Sequence, residues 1–167
     1  TLQEGHACLA RNDVPCAQEV ARELGAASSG RPELLSFAAE TAFFAGQFTE
    51  AAALIDRAVA AGYADKYDRA GLYARTRDIT ADYVVTRRGR FEVHHAPGVD
   101  AILVEDALDT LERAERHLAP LLGGPPPGVT RLEIYPDGRS FKCVVALPPD
   151  AVERTGVVAI SKWSRLL

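Results

Sequence analysis

The sequence has no surplus of basic residues, because 19 Lys and Arg stand against 23 Asp and Glu and the net charge is −4. Proteins that bind nucleic acids or anionic membranes by general electrostatic attraction are normally basic. Neither kind of partner is therefore expected. No run of the sequence approaches the roughly 20 apolar residues that a membrane-spanning helix needs, so no membrane span is expected either.

The short motifs that commonly mark catalytic or cofactor sites are also missing. There is no phosphate-binding G-x-x-x-x-G-K-[ST] loop, no G-x-G-x-x-G, no G-x-S-x-G and no C-x-x-C. His94 and His95 are neighbours in a predicted strand, so they face opposite sides and cannot hold one metal ion together. Cys143 lies in an apolar context that favours a buried thiol over a nucleophile. We therefore expect no catalytic, cofactor-binding or metal-ligating residue.

Three cysteines are present, and two of them are placed with near symmetry about Asn12. Cys8 and Cys16 flank the predicted turn of a helical hairpin, where equivalent positions face each other. They form either a disulfide or two buried thiols. A disulfide would favour an extracytoplasmic location, periplasmic or secreted, because cytosolic thiols are kept reduced.

What the sequence does contain is an internal repeat within residues 1–62. Five pairs of residues correspond at an offset of 34: Asn12 with Gly46, Val14 with Phe48, Ala17 with Ala51, Ala21 with Ile55, and Leu24 with Ala58. This period, with small residues where helices cross, is typical of tetratricopeptide repeats, in which each repeat is a helical hairpin. Helices are predicted near 2–11, 14–27, 33–45 and 48–61.

Two such repeats need a cap, because about three are required for a stable stack. Residues 63–88 are predicted to supply it as a capping or linker helix around 66–82. The run Arg87 to Arg90 is predicted to be a solvated turn.

Residues 89–167 have a different pattern, which predicts a small α/β unit. Alternation in RFEVHHA predicts a strand with Phe91, Val93 and His95 on one face. A long helix near 100–121 follows, its acidic residues forming a solvated face, and then a strand in VTRLEIYP. Short helical turns are predicted in SFKCVVAL and PDAVERTG. The apolar stripe of the long helix is predicted to contain Ile102, Leu103, Ala107, Leu108, Leu111, Ala114, Leu118 and Leu121.

The end of the sequence, TGVVAISKWSRLL, is predicted to form one further strand, which the polar Ser-Lys-Trp-Ser patch interrupts. Trp163 is expected to be either a core residue or an anchor for a partner. The predicted fold class is α+β: two tetratricopeptide-type hairpins with a capping helix, followed by a small sheet unit.

The order of these elements resembles the amino-terminal part of the peptidase MA-like gluzincins, zinc metallohydrolases often fused to tetratricopeptide repeats in bacteria. The resemblance covers about 89–167. The matching residues are Phe91, Val93, Pro97, Gly98, Ile134, Tyr135, Asp137, Phe141, Thr155, Gly156 and Ala159.

In that family an H-E-x-x-H helix follows the T-G-x-x-A strand and supplies zinc ligands and the general base. The motif is absent from this sequence. The resemblance thus implies a non-catalytic amino-terminal fragment of an enzyme, with zinc expected in the complete parent. It also implies a substrate-holding edge strand that contains Val157, Val158, Ala159 and Ile160.

The expected function is a scaffold whose helical groove binds a protein or peptide, joined to part of a substrate cleft. The alternative is a stand-alone tetratricopeptide adaptor with an α/β cap. An edge strand at 156–167 would present unpaired backbone groups, so it could pair with a second copy of the chain.

Overall fold

The computed structural model describes residues 1–27, 30–125, 128–145, 159–162 and 165–167. The chain divides into two compact units, Thr1–Ile79 and Thr80–Leu167. The described part of the first unit is helical, and that of the second holds a mixed sheet with helices. The predicted α+β fold class is confirmed. Among the described residues, no helix has the length and apolar character needed to cross a membrane.

Two helical hairpins form most of the first unit, and their turns repeat with the sequence period. Asn12 and Gly46 both adopt a positive φ, of 56° and 73°. One residue later, Asp13 N–H donates to the Cys8 carbonyl, and Gln47 N–H donates to the Ala42 carbonyl. Asn and Gly adopt this conformation with the least strain, which explains why they end the first helix of each hairpin. The helices are α1 (Leu2–Ala10), α2 (Val14–Ala27), α3 (Pro32–Phe44) and α4 (Phe48–Ala60).

The core of the first unit is built from aromatic rings set among small side chains. Phe37 and Ile55 are fully buried, as are alanines where helices approach closely. Helix α5 (Arg69–Ile79) extends this core, because Tyr73 stacks on Phe43 with ring centroids 4.2 Å apart. Its first turn is capped by the Asp65 carboxylate, which accepts hydrogen bonds from two backbone N–H groups. Helix α5 is shorter than the predicted span 66–82.

Residues 84–88 are a strand, so the prediction that they belong to a capping helix was wrong. Strand β1 (Val84–Arg88) pairs antiparallel with β2 (Phe91–His95), with Arg88 opposite Phe91. The two-residue connection starts with Gly89, whose φ is +58°. A glycine in this position, after the β-branched run Val84–Thr86 and before the alternating segment FEV, favours a tight hairpin over a helix. Arg87 and Arg88 therefore lie in the strand rather than in the predicted solvated turn.

The sheet of the second unit has the order β1-β2-β3-β5-β4 among the described residues. Strands β2, β3 (Thr130–Ile134) and β5 (Arg165–Leu166) run parallel to one another, whereas β1 and β4 (Ser161–Lys162) are antiparallel to their neighbours. One face is apolar. It buries Phe91 and Val93 against Val104 and Leu108 of helix α6 (Val104–Leu122).

The stripe predicted for the long helix is only partly buried. Leu108 and Leu111 pack on the sheet, but four of the other predicted members are exposed: Ile102, Leu103, Leu118 and Leu121. The first two belong to a 3₁₀ segment, Val99–Leu103, which changes the side-chain period before α6 begins.

The predicted solvated face of α6 is also partly engaged. Arg88 extends from β1 and forms ion pairs with Asp109 and Glu105 at 2.5 Å. Packing of α6 on the sheet thus places its acidic residues next to an arginine of β1. The residue pattern of the helix alone does not predict this contact.

The described part of the carboxy-terminal segment is a hairpin rather than the single interrupted strand that the sequence predicted. Strands β4 and β5 pair antiparallel, with Ser161 opposite Leu166, and Ile160 and Leu167 exchange two backbone hydrogen bonds of 2.9 and 2.8 Å. The first two residues of the patch Ser-Lys-Trp-Ser thus form β4. The predicted helical turn in SFKCVVAL is helix α7 (Gly138–Val145). The turn predicted in PDAVERTG and Trp163 lie outside the described residues.

Candidate functional site

The face of the sheet opposite α6 carries charged side chains from all of its three central strands. Glu92 and His94 stand on β2, Arg131 and Glu133 on β3, and Arg165 on β5, and the strand register places these five residues on one face. We call this set the ionic face. Glu92, Glu133 and Arg165 are each at most 5% exposed. Buried charges are costly unless they are paired, so the pairing on this face determines whether the sheet is stable.

The most deeply buried contact on the ionic face joins β5 to β3. Nη1 of Arg165 lies 2.9 and 2.8 Å from the two carboxylate oxygens of Glu133. The hydroxyl of Tyr135 donates to the same carboxylate at 2.6 Å. Burial is the main cause that raises the pKa of Tyr135, and the negative charge of Glu133 adds to it. The tyrosine therefore stays protonated and acts as a hydrogen-bond donor.

A second group of contacts lies around Glu92. Its carboxylate is 3.0 Å from Nε2 of His94 and 3.6 Å from Nη2 of Arg131, and it also forms an ion pair with Arg87 of β1. Burial acts to raise the pKa of Glu92, but the hydrogen bond with His94 and the charge of Arg131 outweigh it, and the pKa is lowered. Glu92 is therefore ionised at neutral pH.

The two adjacent histidines face opposite sides, in agreement with the strand alternation. His95 is buried on the apolar side, where its Nδ1 lies 2.7 Å from the carbonyl oxygen of Ala96. On the ionic face, burial is the main cause that lowers the pKa of His94. The charge of Arg131 lowers it further, while the hydrogen bond with Glu92 opposes the shift. His94 is therefore neutral at neutral pH and donates its Nε2–H to Glu92.

Sequence reasoning missed the ionic face, although a signal was available. The segments FEVHH and TRLEI each place charged or imidazole side chains on one alternate set and mainly apolar side chains on the other. Only the pairing of the two strands shows that both polar sets lie on the same side, where they neutralise each other.

Strand β4 forms one edge of the described sheet, and this is the feature nearest to the predicted substrate-edge strand. Of the four residues named for it, Val157 and Val158 lie outside the described residues. Ala159 and Ile160 immediately precede β4, and Ile160 is bonded to Leu167. The described edge strand therefore lies at Ser161–Lys162, slightly further along the chain than predicted.

The two cysteines named from the sequence are joined in the first unit. A disulfide links Cys8 of α1 to Cys16 of α2, and their Cα atoms are 5.8 Å apart. That distance lies within the range that a disulfide spans. The bond closes the first hairpin across its turn at Asn12. Cys143 on α7 is a free, partly buried thiol.

The first unit also contains a pocket of about 390 Å³ between α2, α3 and α4. Ala38 and Ala42 of α3 line it together with Leu54 of α4. The side chain of Thr41 lines it as well and is 2% exposed. Its hydroxyl has no hydrogen-bond partner among the described residues. The sequence predicted a binding groove in the helical repeats without indicating its residues.

Within the described ranges, no three His, Cys, Asp or Glu side chains lie close enough to hold a metal ion together. Comparison with family models, with curated proteins and with solved structures finds no match to this chain.

Proposed function

We propose that this chain is the amino-terminal part of a tetratricopeptide-containing, gluzincin-like zinc metallopeptidase. In this proposal, Thr1–Ile79 is a scaffold that binds a protein or peptide. Thr80–Leu167 contributes the sheet that borders the substrate cleft, and the H-E-x-x-H motif with its zinc belongs to a part of the parent outside this sequence.

The position of β4 is the observation that most supports this proposal. An antiparallel edge strand next to parallel strands offers backbone N–H and C=O groups to an extended peptide. The ionic face supports the same function indirectly. The contact of Arg165 with Glu133 fixes β5 on β3, and β5 in turn positions β4 at the edge.

The test is to determine the sequence of the natural gene beyond the codon for Leu167 and to express the whole protein that it encodes. The proposal expects an H-E-x-x-H motif some tens of residues further on, bound zinc, and hydrolysis of fluorogenic casein that a chelator abolishes. Replacement of the motif's Glu by Gln should abolish hydrolysis and leave zinc bound. An H-E-x-x-H protein that binds no zinc and cleaves nothing would contradict the proposal.

The second candidate is a stand-alone adaptor that binds a protein segment without catalysis. The pocket in the helical unit favours this candidate, because a pocket there can bind a peptide without a catalytic domain. A stop codon shortly after the codon for Leu167, together with peptide binding by the 167-residue chain, would support the adaptor and exclude the peptidase.

A further inference from the structure

The pocket between α2, α3 and α4 has a polar group that the fold leaves unused. Thr41 lines this pocket, and its buried hydroxyl bonds to no described residue. A buried threonine in a helix normally bonds the carbonyl four residues earlier, and Thr76 of α5 does so, at 2.9 Å from the Leu72 carbonyl oxygen. Thr41 thus keeps both a donor and an acceptor for a ligand.

Two amide side chains at the rim of the pocket also offer hydrogen-bond donors and acceptors. Nε2 of Gln18 lies 3.5 Å from Oε1 of Gln47, which is the long limit of a hydrogen bond. Both side chains are exposed, so a ligand can replace this contact at little cost. Together the two amides present donors and acceptors side by side, and a carboxamide has the complementary arrangement.

The rim has one side chain of each charge, and the walls are apolar. Arg22 already pairs with Glu19, so the rim does not offer its cation to an anionic ligand. The alanines and Leu54 provide apolar walls for the carbon chain of a side chain. The volume of about 390 Å³ lies within the range of small-ligand pockets.

We propose that this pocket binds a neutral primary carboxamide, the side chain of a Gln or Asn in a partner segment. Thr41 exchanges hydrogen bonds with the carboxamide, and Gln18 and Gln47 hold the polypeptide backbone next to it. This proposal rests on the proposed scaffold function of the helical unit and names the side chain that the scaffold recognises. The same chemistry is offered by free glutamine, which carries charged α-amino and α-carboxylate groups instead of a polypeptide backbone.

The test is an NMR titration of the ¹⁵N-labelled chain with N-acetyl-glutamine N′-methylamide. Shifts are expected at the amides of α2, α3 and α4 around the pocket. The corresponding leucine and glutamate compounds should bind at least about threefold more weakly, because one neutral hydrogen bond corresponds to roughly a three- to tenfold change in affinity. Free L-glutamine should also bind more weakly; equal or tighter binding of it would overturn the peptide assignment.

Two variants examine the role of Thr41. Thr41→Val should weaken binding of the glutamine compound about three- to tenfold and leave the melting temperature unchanged or higher, because it removes an unbonded hydroxyl. Thr76→Val is the matched control and should lower the melting temperature without affecting binding. If Thr41→Val unfolds the chain, or binds the glutamine compound as well as the original chain does, the proposal is overturned.

A second experiment separates this proposal from the scaffold function. Peptides selected on the full chain from a displayed random library are mapped by the same spectra. Selected sequences rich in Gln or Asn, with a footprint at the pocket that Gln18→Ala weakens, support the proposal. Peptides that bind elsewhere on Thr1–Ile79 overturn the pocket assignment and leave the scaffold function intact. No binding peptide at all contradicts the scaffold function itself.

Discussion

The two units of this chain bury different kinds of side chain. The core of the helical unit consists mainly of aromatic rings and alanines, and its helices approach closely. The sheet of the second unit buries apolar side chains on one face and an ion-paired cluster on the other. The stability of the first unit should depend mainly on how well its side-chain volumes fit together. The stability of the second should depend mainly on the pairing of its buried charges. The same kind of substitution should therefore cost a different amount of stability in the two units.

The largest effect is expected where a buried charge loses its partner. Among the described residues, Arg165→Met removes the nearest cation of buried Glu133 and leaves only Arg131, at 4.0 Å. Breaking a buried pair from one side costs about 3–5 kcal/mol. Urea denaturation, with hydrogen exchange to assign the loss to Thr80–Leu167, measures it. Arg75→Met is the control in the helical unit: its pair with Asp68 is exposed, so at most about 1 kcal/mol is expected.

A double variant determines whether the pair itself stabilises the sheet. Glu133→Leu combined with Arg165→Met removes both charges, so we expect it to be more stable than either single variant. A double variant that loses the sum of the two single losses would show that the two side chains act independently. The contrast between the units would then not depend on pairing.

In the helical unit, the largest loss is expected from the disulfide. The bond between Cys8 and Cys16 closes a short loop, and a loop of this length corresponds to about 2–3 kcal/mol. Urea denaturation with and without a phosphine reductant should show this difference, confined to Thr1–Ile79. Cys143→Ala is the control and should leave the effect of the reductant unchanged, since that thiol is free. An identical midpoint under both conditions would contradict the prediction.

Two glycines test packing volume directly. A Cβ on Gly5 would overlap the ring of Phe37, which is 1% exposed and cannot move aside. We expect Gly5→Ala to cost about 1–3 kcal/mol, as overpacking does. A Cβ on Gly25 meets nothing within 4 Å, so Gly25→Ala should stabilise α2 by up to about 1 kcal/mol. Stabilisation by both variants, measured in urea, would show that α1 and α3 do not require a glycine at their contact.

The same contrast explains what the sequence could predict. The four helices of the two hairpins begin and end within about a residue of their predicted positions, because repeat period and turn residues are local signals. Strand β1 was missed because its pairing depends on β2. The antiparallel pairing of β4 with β5 was missed because each strand is only two residues long.

The ionic face and the pocket required the three-dimensional structure for a similar reason. Glu92 and Arg131 look like solvent-facing residues of two separate strands until the parallel register places them side by side. Thr41 looks like an ordinary helix residue until the fold places it in a pocket lining, with its hydroxyl bonded to no described residue. The sequence shows the faces of single elements, whereas these sites arise between elements.

The smallest expected effect is the pH dependence of the second unit, which arises mainly from His94. Its folded-state pKa lies below the ordinary value of 6.5, so the unfolded chain takes up a proton at a higher pH than the folded chain does. Stability is therefore full above about pH 6.5 and falls as the pH decreases toward the folded-state pKa. Burial is the main cause of this lowered pKa; the charge of Arg131 adds to it, and Glu92 and Glu133 oppose it.

Below pH 4.5 a further loss is expected from Glu92, because its own folded-state pKa is also lowered and protonation ends its ion pairs. His94→Gln should remove the slope that begins at pH 6.5 and retain a loss below pH 4.5. His117→Gln, at an exposed position on α6, should leave both slopes in place. Urea midpoints of the Thr80–Leu167 amides, measured from pH 8 to pH 4, separate these components. If the slope below pH 6.5 survives in His94→Gln, it arises from another group, and the ionic face does not control how acid affects this unit.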